Sequence, residues 1–233
     1  MKSRARQPLG KIIFVTGTDT GVGKTVFTTL LLHHLRIAGR HTLAIKPFCS
    51  GGRADVRLLR AMQDGELTEN EINPFYFHEP VAPLVSARQH RRAISLAEVV
   101  RKIKKIAAQC ECLLIEGSGG LLVPLGENFL VSDLIKQLKC QVVVVSRNRL
   151  GTINHTLLTV SVLRQLNVNK IAIALMETGK KDASTKTNGR ILSELLKPIS
   201  VRGIIFLGKN ANKIGVLKKS HRKVKKTLAE FCG

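Results

Sequence analysis

Apolar residues in this chain follow two rhythms. Short continuous runs read as strands: "KIIFV" (11–15), "HTLAIK" (41–46), "CLLIEG" (112–117), "QVVVVS" (141–146), "KIAIALM" (170–176) and "VRGIIFL" (201–207). They do not alternate with polar residues, so each is expected to be buried on both faces. Between them, apolar positions recur every three or four residues, which predicts helices at 25–39, 55–63, 95–109, 131–138, 153–166, 187–196 and about 216–230. The segment 95–109 opens with Ser95 and Glu98 at capping-box spacing, and Ile94 is set to staple against Val99. Strands alternating with helices predict an α/β fold, with one mostly parallel sheet and helices on both faces.

The length of 233 residues fits a single domain, expected over 11–233 after a basic extension, "MKSRARQPLG", at 1–10. With 44% hydrophobic residues, no tryptophan and 4% aromatics, the core must be mostly aliphatic. Five scattered cysteines (Cys49, Cys110, Cys112, Cys140, Cys232) lack the paired spacing of a zinc site and are expected to be free thiols in a cytoplasmic protein. No apolar run reaches the length of a membrane span, and the apolar stretch after the basic start breaks at Gly17, which argues against a secretory signal. The formal charge of +22 raises nucleic acid or an anionic surface as a partner, and "KKSHRKVKK" (218–226) is its densest run. A solvated helix face is the plainer reading of that run.

Ligands of such sheets bind beyond the carboxyl ends of the strands, and the chemistry-bearing residues lie there. "GTDTGVGKT" (17–25) follows the first strand and opens the first helix. Gly21 and Gly23, on either side of Val22, let the backbone curl so that successive N–H groups face one concavity at a helix N-terminus, a ready site for phosphate. Lys24 can reach the outer phosphates, and the Thr25 hydroxyl can take a position on Mg²⁺. Asp55 follows the second strand by a short loop and Glu116 closes "CLLIEG", and with Thr25 they make a hard oxygen set suited to Mg²⁺. A helix cap or a surface charge is the alternative for either carboxylate alone. Lys46 ends its strand and can face the phosphates, or can simply be a solvated strand end.

"GTDTGVGKT", "KPFCSGG" (46–52), the Asp55 segment, "NPFYFHEPVAPLVSA" (73–87), "LLIEGSGGLLVPL" (113–125) and "RLGTINHTLLT" (149–159) together resemble dethiobiotin synthase, a P-loop NTPase family. The likeness runs over roughly residues 11 to 176. It implies a homodimeric enzyme of biotin synthesis. Such an enzyme carboxylates 7,8-diaminononanoate with CO₂ and closes the ureido ring, using ATP and Mg²⁺. It also implies that Lys24, Lys46 and Thr20 work at the reacting site, that residues 21 to 25 hold phosphate, and that Thr25, Asp55 and Glu116 hold metal. Ser50, Gly117 and Gly119 would face the diamine. Gly151, Thr152, Ile153 and Asn154 would bind its carboxylate from the neighbouring subunit. Near the base, Met176 stands where the family has an asparagine, and Phe206, beyond Gly203, where it has a proline. The resemblance makes no use of nucleic acid or membrane. A partition-type ATPase that binds DNA through its basic surface is the alternative reading. Against it, Asp19 stands where that class carries a lysine.

Overall fold

The structure, a computed structural model, describes residues 10–208 and 210–232. The expected basic extension at 1–10 lies outside the described residues except for Gly10. In chain order the elements are β1 (Lys11–Gly17), α1 (Lys24–Ile37), β2 (Thr42–Ile45), β3 (Phe48–Ser50), α2 (Ala54–Met62), α3 (Glu69–Ile72), β4 (Phe75–Phe77), α4 (Pro83–Gln89), α5 (Leu96–Ala107) and β5 (Cys112–Glu116). They continue with β6 (Pro124–Gly126), β7 (Phe129–Leu130), α6 (Val131–Leu138), β8 (Gln141–Arg147), α7 (Thr152–Gln165), β9 (Ile171–Met176), α8 (Asn188–Leu195), β10 (Ser200–Ile204) and α9 (Ile214–Ala229).

Six strands form one parallel sheet in the order β10-β9-β8-β1-β5-β2. Val142 through Val145 are wholly buried, as are Leu113 through Ile115, so both faces of the central strands are covered. That is why these strands carry unbroken apolar runs rather than alternation. The chain builds β5 and β2 on one side of β1, then crosses to β8, β9 and β10 on the other. The loop after β1 therefore sits where the strand order reverses, the usual crevice for a ligand.

Helix α1 is fixed from behind by α9. Phe27 meets Phe231 edge-on with ring centroids 5.0 Å apart, and His34 Nδ1 lies 3.0 Å from His221 Nε2 in a buried hydrogen bond. Burial, with the nearby positive charge of Lys225, lowers the pKa of both imidazoles. The neutral pair thus suits the interface, and α1 carries the phosphate loop at its other end.

Several expectations need correction. The strand expected at 201–207 stops at Ile204, because Ile205 and Phe206 turn out to solvent. The capping box at 95–98 is only half made. Ser95 Oγ accepts from the Glu98 N–H at 3.2 Å, while the Glu98 carboxylate lies 3.8 Å from Lys102, its i+4 neighbour. A reciprocal box forms instead at Thr68 and Glu71. The periodicity also misses two small sheets, parallel β3–β4 and antiparallel β6–β7, whose strands of two or three residues are too short to show a period.

Candidate active site

The phosphate loop forms as its residues dictate. Gly21 and Gly23 both adopt positive φ, 70° and 106°, a region that residues with a Cβ rarely occupy. Gly23 caps α1 without a side chain, so the first amides of that helix stay open to an anion. Val22 is buried beneath the loop. The Lys24 side chain folds back, and its Nζ donates to the Asp19 carbonyl at 2.8 Å. Burial is the main reason its pKa falls to about 8; Glu116 pulls the other way. An amine held this way gains when a polyanion arrives beside it.

At the floor of the adjoining cleft, of about 710 Å³, residues from α1, α2 and β5 converge with Lys46, just past the end of β2. Lys46 Nζ bonds Asp55 Oδ2 and, at 2.8 Å, Glu116 Oε1. The Thr25 hydroxyl donates to the same Glu116 oxygen at 2.7 Å. Burial alone would lower the Lys46 pKa, but the two carboxylates outweigh it and hold the amine above the ordinary lysine value. The other carboxylate oxygen, Glu116 Oε2, is buried without a partner, as is Ser50 Oγ. Buried polar atoms are normally satisfied, and since Ser50 and Glu116 line the cleft, both atoms are available to a ligand there. Hydroxyl and carboxylate oxygens with a free lone pair fit Mg²⁺.

Of the remaining residues, some surround this floor and others lie away from it. Thr20, Ser50, Gly117 and Gly119 line the cleft. Gly119 has a φ of 62°, and a Cβ there would come within 2.7 Å of Val123, so the turn of the 117–120 loop needs glycine; Thr20 Oγ1 would lie at an ordinary 3.6 Å. Met176 and Phe206 line a second cleft, of about 900 Å³, which shares Gly21 and Gly23 with the first. Gly203 stays in β10, opposite Leu175, and lies outside that lining. Gly151, Thr152, Ile153 and Asn154 line neither cleft. Thr152 is buried, its hydroxyl 2.6 Å from Ser146 Oγ, while Gly151 and Asn154 face solvent.

Sequence reasoning missed Arg147, whose guanidinium donates to the Gly21 carbonyl from the end of β8. Its place at a strand's carboxyl end was the available signal. It also missed a polar knot around the buried Asn148 and Asn188. The Asn148 amide donates to Glu177 Oε1 at 2.6 Å and to the Thr185 carbonyl at 2.9 Å. Asn188 donates to Asn148 Oδ1 at 2.9 Å and to the Arg149 carbonyl at 3.1 Å. Asp182 accepts the Leu150 N–H at 3.0 Å. Asn212, from the loop before α9, lines the first cleft.

A parallel sheet with this loop after its first strand, two lysines and a carboxylate pair at its carboxyl edge defines a P-loop nucleotide-binding protein. The fold has solved counterparts. A putative plasmid partition protein of Borrelia burgdorferi bound to AMPPNP aligns with a TM-score of 0.62 at 14% identity, over 96% of this chain and 98% of that one. The MinC:MinD cell division complex of Aquifex aeolicus aligns with a TM-score of 0.62 at 13% identity, over 96% of each chain. At such identities the likeness is one of fold. A family model described as an AAA domain matches residues 11–228. Sequence similarity is narrower. ATP-dependent dethiobiotin synthetase BioD of Bacillus licheniformis is 44% identical over 170 residues, 71% of this chain and 72% of that protein. The protein of the same name from Bacillus subtilis is 39% identical over 78% of this chain and 81% of its own length. That from Endomicrobium trichonymphae is 38% identical over 86% and 93%. The chain belongs to the ATP-dependent dethiobiotin synthetase family. The resemblance drawn from its motifs holds, and with it the assignment to an ATP-dependent ligase.

Proposed function

We propose that this chain carries out the reaction its family is named for: carboxylation and ring closure of 7,8-diaminononanoate with CO₂ to dethiobiotin, with ATP converted to ADP and phosphate. The observation that carries this reading is the convergence of Lys24, Lys46, Thr25, Asp55 and Glu116 on one cleft floor, under the orphaned Ser50 hydroxyl. One substrate amine takes up CO₂ as a carbamate and loses a proton. A carbamate oxygen attacks the γ-phosphorus, and ADP leaves. The second amine then attacks the carbonyl of the mixed anhydride, closing the ring and expelling phosphate.

The phosphoryl step needs fixed positive charge and an in-line nucleophile. Lys24 and Lys46 supply the charge, and Thr20 and the amides of the 117–120 loop border the transferred group. Ser50 is suited to accept from or donate to the carbamylated amine. Thr25, Asp55 and Glu116 would hold Mg²⁺, which when bound neutralises phosphate charge. In this reading the triphosphate runs from the first cleft into the second, where Met176 and Phe206 flank the base. The start of α7 supports a homodimer. Leu150 and Leu158 are 79% and 60% exposed beside the helix start at 151–154, where the Thr152 N–H bonds the Arg149 carbonyl at 3.2 Å, a surface suited to a second subunit whose diamine carboxylate the Gly151 and Ile153 amides and the Asn154 side chain would bind. No helix among the described residues is long and apolar enough to cross a membrane, and all five cysteines are free, which agrees with a cytoplasmic enzyme.

The test is a coupled assay for ADP release with the diamine and bicarbonate, against a control without diamine. ADP release that needs the diamine, with dethiobiotin as product, is expected. Release at the same rate without diamine would point to a plain ATPase and defeat the proposal.

A further inference from the structure

The dethiobiotin reaction gives no work to the densest charge on the molecule. Lys218, Lys219, Arg222, Lys223, Lys225 and Lys226 all lie on α9, and all are exposed. At 3.6 residues per turn they share an arc of about 160°, opposite the buried Leu217, His221, Val224 and Leu228. The six charges span about 12 Å of helix axis. None of them takes part in a salt bridge among the described residues, although Arg and Lys elsewhere on the surface do. The carboxylates in reach are taken. Glu230, at the end of the helix, pairs with Arg202, and Asp64, whose charge is felt at His33 on α1, pairs with Arg36.

Such a face is costly to keep. Lys218–Arg222, Lys219–Lys223 and Arg222–Lys226 are like charges at i,i+4, an arrangement that destabilises a helix. A rod of regularly spaced negative charge laid along the face would relieve all three at once. We infer that the exposed face of α9 is a docking surface for the phosphate backbone of double-stranded nucleic acid, without regard to sequence. Two features favour this partner. A helix that lies on a lipid surface needs apolar side chains to bury beside its cations, and the apolar set of α9 is spent in the core, with no large exposed hydrophobic along the helix. The face also lacks aromatics on which the bases of a single strand would stack. What it offers is point charges alone, and a duplex backbone takes those.

The experiment is fluorescence anisotropy of a labelled 20-base-pair duplex of arbitrary sequence, titrated with the full chain between 50 and 200 mM KCl. Binding is expected to weaken by about 10²–10³-fold over that range, with a log–log slope of about −3 to −5. The variant Lys218→Gln/Lys219→Gln/Lys223→Gln/Lys226→Gln should lose most of that slope. It should bind at least about ten-fold more weakly at 100 mM salt and keep wild-type turnover in the diamine assay, which also reports that it folds. Its control is Arg101→Gln/Lys102→Gln/Lys104→Gln/Lys105→Gln on α5, an equal change in charge elsewhere, and that variant should bind nearly as wild type. Equal losses in the two variants would assign the binding to net charge rather than to α9 and overturn the inference. So would a dissociation constant above about 10⁻⁴ M at 50 mM salt, or α9-dependent binding to phosphatidylserine vesicles with none to the duplex.

Discussion

Lys24 offers a test in which function and stability move in opposite directions. The residue is 7% exposed, and burial lowers its pKa to about 8 from an ordinary 10.5. At about 1.4 kcal/mol per pH unit, keeping that amine protonated costs the fold about 3 kcal/mol near pH 7. Lys24→Met removes the buried charge and keeps most of the volume. It also removes the hydrogen bond to the Asp19 carbonyl, worth about 1 kcal/mol net. The variant should therefore be more stable than wild type by about 2 kcal/mol at pH 7, or about 4–8 °C for a chain of this size. The folded value lies below the unfolded one, so the unfolded chain binds more protons between about pH 8 and 10.5, and wild-type stability rises relative to the variant there. Below about pH 8 the gap is constant; above 10.5 the charge penalty is gone and only the hydrogen bond remains, about 1 kcal/mol in favour of wild type. Urea unfolding of both proteins at pH 7 and pH 10 measures it, since every other titrating group is common to the two. Nucleotide at 100 times its dissociation constant adds about 2.7 kcal/mol to wild type and little to the variant, which should also be inactive. A variant that is no more stable than wild type at pH 7, or a gap unchanged at pH 10, would refute the reasoning.

Lys46 should behave in the opposite way, because its charge is paired with Glu116, whose side chain is wholly buried. Lys46→Met strands that carboxylate and should cost about 3–5 kcal/mol, read by the same unfolding experiment; a neutral result would mean the pair is dispensable to the fold. Mixed dimers of Lys24→Ala and Asn154→Ala subunits should regain activity in part if the start of α7 serves the neighbouring site, and verified subunit exchange without recovery would return Asn154 to its own subunit or to no site. Met176 and Phe206 give the base cleft apolar walls, and such walls discriminate by only about 1–3 kcal/mol. The ratio of kcat/KM for ATP over GTP or CTP should then stay below about 10³, and Met176→Asn should raise it; a larger ratio in the unmodified chain would reveal a backbone reader of adenine.

The sheet and the cleft floor were legible because they rest on local signals. Unbroken Val and Ile runs mean burial on both faces, and Gly21, Gly23, Lys24 and Thr25 carry their geometry within five residues of sequence. Asp55 and Glu116 could be picked out by their positions at strand ends, but their meeting at Lys46 is a contact across 70 residues of chain that no pattern encodes. The same holds for His34 with His221, 187 residues apart. Arg147 reads as one more cation in a chain of 38. Phe206 was placed in a strand because Ile204, Ile205 and Phe206 continue an apolar run, whereas the last two leave the sheet and border the second cleft.

The polar knot around Asn148 has a thermodynamic consequence. Glu177 and Asp182 border the second cleft, and the same two carboxylates hold the backbone amide of Leu150 and the side chain of Asn148, immediately before α7. Whatever orders residues 177–188 also fixes the approach to Gly151, and the reverse is equally true. Two ligands that each draw on this shared ordering must help one another by the same factor, whichever arrives first. Nucleotide would then slow amide exchange at residues 150–154, and an anion bound at that helix start would tighten nucleotide. Removing both contacts, with Asn148→Ala and Asp182→Ala together, would leave two sites that fill independently.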